Sequence, residues 1–144
     1  MEYQSINTIL GLTKTPQVKS ANEYHYLSQL ATSGIPPASI DSLKKWLKIN
    51  QNQIAELIHM STRSIQRYEK AEKLELDTAD HILQLAQVVA KGMEVFEDHK
   101  ALLKWLNSDI RALGYSKPLN LLKTSFGIKM VIDELIRLEY GVIS

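Results

Sequence analysis

The chain has 144 residues, 44 % of them hydrophobic and 23 % charged, with a formal net charge of +1 and no cysteine. This is an ordinary composition for one globular domain or two very small ones. It excludes disulfides, thiolate metal sites and cysteine catalysis, fits a reducing cytoplasm, and offers no apolar run near the roughly 18 residues of a membrane span. The opening residues, MEYQSINTILGL, lack the basic start and long apolar stretch of a signal peptide.

In chain order, Ile6, Ile9, Leu10 and Leu12 form a short helical turn or an apolar arm, ended near Thr15-Pro16. Ser20 with Glu23 reads as a capping box opening a helix through about Thr32, with Tyr24, Leu27, Leu30 and Ala31 on one face. Gly34 and Ile35-Pro36-Pro37 make a stiff link. Ser39 then caps a helix to about Ile49, with Ile40, Leu43, Trp46 and Leu47 inside and Lys44, Lys45 and Lys48 outside.

Residues 50–73 read as two short helices around a tight corner. Asn50 and Gln53 pair as a capping box, and Ile54, Ala55, Leu57 and Ile58 give the first helix its apolar side. Ala55 is small where the helices must cross closely. His59-Met60 replaces the glycine and apolar residue common at such corners, so a less regular turn is expected. Ser61 caps the second helix, which buries Ile65 and Tyr68. Thr62, Arg63, Gln66, Arg67 and Lys70 point outward, with Ser61 and Ser64 beside them. Cations suit phosphates, and an amide can read adenine, so the pattern is that of a helix-turn-helix whose second helix enters a major groove.

Beyond Lys73, Asp77 and Asp80 sit at the start of a long helix through Phe96, interrupted by Gly92, which either weakens it or admits a close neighbour. A second unit starts near Asp98. Ala101, Leu102, Trp105 and Leu106 mark a helix that continues or restarts through Leu113 and closes at Gly114. Ser116-Lys117-Pro118 opens a short helix, and Thr124 or Ser125 caps a last one that runs to Gly141. No strand pattern appears. The expectation is all-α: residues 1–97 as a helix-turn-helix domain (core 39–97) and 98–144 as a small helical unit.

Charge is unevenly spread. Residues 41–73 carry seven basic and four acidic side chains, and 100–144 the same balance. Residues 74–99 set Lys91 alone against Glu75, Asp77, Asp80, Glu94, Glu97 and Asp98. One end suits DNA while the acidic middle stays away from it. For catalysis little is on offer. His25, His59, His81 and His99 have no metal-ligand spacing, and no phosphate loop or activated nucleophile is present. Neither enzyme activity nor a metal or cofactor is expected. Trp46 and Trp105 read as core anchors.

Trp105-Leu106, Ala112-Leu113-Gly114, Lys117-Pro118-Leu119, Leu121-Leu122, Thr124, Gly127, Val131, Leu135 and the ending Arg137-Leu138-Glu139-Tyr140-Gly141-Val142-Ile143-Ser144 together resemble the C-terminal toxin-binding domain of Xre/MbcA/ParS antitoxins. Arg63-Ser64-Ile65-Gln66-Arg67 resembles the recognition helix of their Xre-like helix-turn-helix. Tyr115 stands where a second glycine is frequent, and Asp80-His81 where Asp-Arg is common. The resemblance implies a homo-oligomeric antitoxin paired with a RES-domain toxin that consumes NAD. It would bind its own operator and cover the toxin's active-site entrance. The toxin-binding residues it implies are Arg137, Glu139, Tyr140, Gly141, Val142, Ile143 and Ser144. The alternatives are a stand-alone DNA-binding repressor whose C-terminal unit only dimerises, and a helical adaptor that never meets DNA.

Overall fold

The computed structural model describes residues 3–12 and 22–141. Its helices are α1 (Tyr3–Leu10), α2 (Glu23–Ser33), α3 (Ala38–Leu47), α4 (Gln51–Leu57), α5 (Thr62–Tyr68), α6 (Leu76–Phe96), α7 (His99–Leu106) and α8 (Ser125–Glu139). Two 3-10 turns, Arg111–Leu113 and Pro118–Leu121, lie between α7 and α8. The all-α expectation holds: among the described residues there is no strand, only an isolated antiparallel bridge between Ile110 and Ser116.

The core is organised by α6. Ala79, Ile82, Leu83, Leu85, Ala86, Val88, Val89 and Ala90 are all buried, a face too wide for a surface helix. It is covered on one side by α1, α2 and α3 and on another by α7 and α8, with α8 the most extensive neighbour. Each large aliphatic residue so buried contributes about 1.5–3 kcal/mol. Ile6, Ile9 and Leu10 of α1 belong to this same core, which settles the arm as a packed helix. Gly92 is where α7 comes closest: a Cβ there would lie 2.4 Å from Leu102 Cδ1. The chain turns sharply at Glu97, which adopts φ 57, and Asp98, whose side chain caps α7. Beyond that corner α7 folds back onto α6.

Several expected ends are corrected. The cap of α2 is Asn22, whose side chain accepts from the Tyr24 and His25 amides; Ser20 lies outside the described residues. Ser39 does not cap α3. It sits fully buried inside the first turn and donates its hydroxyl to the Pro36 carbonyl. Pro37 precedes the helix, where a missing N–H is harmless. Asp80 lies past the first turn of α6, because that helix starts at Leu76. The stretch after Leu106 breaks, then tightens into the 3-10 turn closed by Gly114 at φ 66. Trp46 and Trp105 are half-buried against His99 and Phe96, at ring-centre distances of 4.8 and 5.6 Å.

Candidate functional site

The α4–α5 corner is built by side-chain caps. The Asn50 Oδ1 accepts from the Gln53 amide, and the Asn50 amide donates to Gln53 Oε1, both at 2.9 Å. This satisfies two helix-start donors at once. Where α4 ends, His59 takes φ 58, the Met60 amide donates to the Ala55 carbonyl at 2.9 Å, and the His59 amide donates to Glu56 at 3.3 Å. These are the two bonds of a regular helix-closing motif usually made by glycine. The expected irregular turn is therefore not found. A left-handed histidine costs about 1–2 kcal/mol, and its ring donates from Nε2 to the Lys123 carbonyl at 2.6 Å.

On α5 the Ser61 Oγ accepts from the Ser64 amide at 3.0 Å, capping the helix as expected. Ile65 is buried and Tyr68 half-buried. Arg63, Gln66, Arg67 and Lys70 are exposed on the outer side, with Thr62 and Ser64 partly so. Ser61 and Ser64 are engaged within the helix: their hydroxyls bond each other at 2.9 Å, and Arg67 Nη2 donates to Ser64 Oγ at 3.2 Å. The relay holds the Arg67 fork against its own helix. Behind it, Lys44 of α3 reaches Gln51 at the start of α4 at 3.0 Å.

The corner is tied to the C-terminal half. Besides the His59 bond, Lys123 Nζ forms an ion pair with Glu56 of α4. His81 of α6 stands edge-on to His59, ring centres 5.9 Å apart. Burial pushes the His81 pKa down, and the neighbouring His59 pushes the same way; the Leu122 and Leu57 carbonyls and Asp80 oppose them without reversing the shift.

The end of α8 is the second region. The predicted residues part company here. Glu139 turns inward to Lys91 at 2.7 Å, and Lys91, 8 % exposed, also holds Glu94 at 3.1 Å. Burial alone would lower the Lys91 pKa, but the bonds to Glu139 and Glu94 outweigh it and raise it. Arg137 donates to both oxygens of the buried Glu134, from Nε at 3.0 Å and from Nη2, and this partner raises its pKa. Tyr140 is 74 % exposed, and Gly141 takes φ 64, turning the chain off the helix. Val142, Ile143 and Ser144 lie outside the described residues.

Sequence reading missed two surface features, the exposed side of α8 and a groove, and left the geometry of the Tyr115 departure open. Phe126 and Met130 are exposed on the outer side of α8, 83 % and 47 %, although their spacing to Arg137 and Tyr140 follows one helical line. Tyr115, 66 % exposed, holds φ 61 in the turn after Gly114, the conformation a second glycine would take. A groove of about 840 Å³ runs between α2, α6 and α8, with an apolar floor that includes Leu27, Leu83 and Ile132. Asp77, Asp80 and Asp133 on its rim are unsuited to nucleic acid.

Comparison with known proteins bears on both regions. Residues 27–87 match the antitoxin Xre-like helix-turn-helix domain, and residues 91–141 the antitoxin Xre/MbcA/ParS C-terminal toxin-binding domain. A protein of Photorhabdus laumondii named Antitoxin Xre is 25 % identical over 121 residues, covering 83 % of this chain and 82 % of that one. Another Antitoxin Xre, from Yersinia enterocolitica, is 28 % identical over 107 residues, covering 73 % and 72 %. In structure, a chain of the M. tuberculosis MbcT-MbcA toxin-antitoxin complex superposes with a TM-score of 0.58 at 19 % identity, over 75 % of this chain and 96 % of that one. At that identity the superposition speaks for the fold.

Proposed function

Because the chain belongs to the Xre/MbcA/ParS antitoxin family, we propose that it neutralises a RES-domain, NAD-consuming toxin by laying its C-terminal end over the toxin's active-site entrance. The observation that carries this reading is the end of α8, inside the residues matched to a toxin-binding domain. There Tyr140 is exposed and Gly141 takes φ 64, which ends the helical path. Lys91 and Glu139 brace the end of α8 against α6. A braced end loses little freedom on binding, and an exposed tyrosine supplies a large contact at low entropic cost. Val142 and Ile143 add apolar atoms suited to a cleft.

The α4–α5 corner is assigned to the antitoxin's own operator. Arg63, Gln66, Arg67 and Lys70 face outward for phosphates and base edges, and the chain acts there as a homo-oligomer whose symmetry sets the half-site spacing. The chemistry of the system lies in the toxin, and this chain contributes occlusion and regulation. The decisive experiment co-expresses the toxin with a chain lacking Gly141–Ser144. Growth arrest should return although the truncated protein accumulates and stays helical. Full protection by the truncated chain would overturn occlusion by the C-terminal end.

A further inference from the structure

A phenylalanine in the first turn of α8 is 83 % exposed, in a chain that buries most of its large aliphatic residues. Phe126, Met130, Arg137 and Tyr140 lie within about 80° of one another around the helix and span about 21 Å of its length. Val131, Leu135 and Ile128 are buried on the opposite side. Phe126, Met130 and Tyr140, exposed by 83, 47 and 74 %, supply the apolar atoms of this outer line, whose charged members are paired: Arg137 with Glu134, and Asp133 with Lys129 at 3.2 Å.

We propose that this outer line of α8 is a docking surface for the toxin, distinct in role from the last residues: Phe126 and Met130 hold the toxin, and the end of the chain obstructs it. The proposal rests on the toxin reading above and divides it into affinity and inhibition.

Three observations carry it. The first is composition: aromatic residues, methionine and arginine are the types enriched at the centres of protein interfaces. The second is rigidity. The Thr124 side chain caps α8 on the Gly127 amide at 3.0 Å, and Gly127 lies so close to the Leu121 carbonyl that a Cβ would sit 1.8 Å from its oxygen. Phe126 therefore projects from a fixed helix start, and presenting it to a partner loses little freedom. The third is continuity. The line lies wholly within the residues matched to a toxin-binding domain and runs directly into the end assigned to the toxin. DNA is a poor occupant: Arg137 is already bonded to Glu134, and Lys129 at the edge of the line pairs with Asp133 at 3.2 Å, so each nearby cation is matched by a carboxylate.

The experiment uses the full chain, its Phe126→Ala/Met130→Ala double variant and its Gly141–Ser144 deletion. The probe is the purified product of the adjacent reading frame, with affinity read by calorimetry, protection by co-expression and oligomeric state by light scattering. Both substituted side chains are solvent-facing, so helicity and melting temperature serve as controls for folding. The double variant should bind at least about 30-fold more weakly, the scale of a lost interface hot spot. The deletion should still bind the probe while failing to protect cells. Equal binding by the double variant and the full chain would overturn the docking role. So would a double variant that loses self-association but keeps its affinity, since the line would then join two copies of this chain. Failure of the unaltered chain to bind the probe would overturn the toxin reading itself, a result distinct from selective loss in the variant.

Discussion

The α4–α5 corner and helix α8 display opposite chemistries on equally fixed supports. The corner is made of two seven-residue helices, too short to persist alone, and owes its shape to Asn50, Gln53, Ser61 and a left-handed His59. What it shows to solvent is cationic and amide-bearing. Helix α8 has fifteen residues, is seated on α6, and shows solvent a phenylalanine, a methionine and a tyrosine. The first surface suits a partner whose charge is everywhere and whose sequence is read at few points. The second suits a partner with a shaped apolar face. Salt should separate them: binding at the corner must weaken steeply as ionic strength rises, and binding at α8 must weaken little.

The largest effect is expected where α8 is seated. Gly127→Ala places a methyl group inside the Leu121 carbonyl, and neither backbone can yield cheaply. The loss should be on the order of 3 kcal/mol, the upper end for overpacking, seen as a lower urea midpoint. Gly114→Ala is the matched control. It meets nothing within 4 Å, and only its φ of 66 opposes the substitution, so about 1 kcal/mol is expected. Equal losses at the two glycines would mean that α8 is not pinned by that contact.

Next comes the corner. Arg63→Ala with Arg67→Ala should lower operator affinity by roughly tenfold or more and reduce the slope of log affinity against log salt by about 2, one for each phosphate contact removed. Toxin capture by α8 should be untouched. An unchanged slope would count against the groove assignment. Arg67 tests a finer point. Its bond to Ser64 keeps the fork close to α5, so Ser64→Ala should weaken DNA binding by releasing Arg67, although Ser64 itself need touch no DNA.

Asn50→Ala should cost about 1 kcal/mol, because it removes the side-chain oxygen that accepts from the Gln53 amide at the start of α4, leaving only the bond from the Asn50 amide to the Gln53 side chain. That box was legible in the sequence, as were the Ser61 cap and, as one of two candidates with Ser125, the Thr124 cap, because each pairs a side chain with an amide three residues on. Helical periodicity likewise found α6 and the buried side of α8. What sequence concealed was decided across the chain. Asn22 caps α2 where Ser20-x-x-Glu23 made the better local pattern. Ser39 is buried beneath the proline link, its amide and its hydroxyl both donating to the Pro36 carbonyl. His59 occupies a glycine conformation while bonded to Lys123, 64 residues away. At the candidate site, the line from Phe126 to Tyr140 was present in the spacing. It could not be told from a buried face until α6 had taken the opposite side. Glu139 and Arg137 could be named, but Lys91 and Glu134 as their partners could not.

The smallest expected effect tests the joint between the two regions. His81 lies on α6, beside His59 of the corner and near the carbonyl of Leu122 in the C-terminal half. Its folded pKa is lowered from the ordinary 6.5, chiefly by burial and then by His59. The unfolded chain therefore binds the proton more readily. The stability that follows from a neutral His81 is complete above about pH 6.5, declines as pH falls through the folded value, and then levels off. Other groups also titrate in this range, so the measure is a difference. Urea midpoints of the wild type and His81→Gln are compared at pH 7.5 and pH 5.5, and the wild type should lose more on acidification. A glutamine keeps the polarity and cannot charge, so a variant that falls as far as the wild type would remove His81 from the account. The same pair of proteins sharpens the opening contrast. The protonated imidazole would face His59, the residue that bonds the corner to Lys123. Acid should then loosen the corner from the Leu122–Lys123 segment that leads into α8, and operator binding should respond to pH more than toxin capture does.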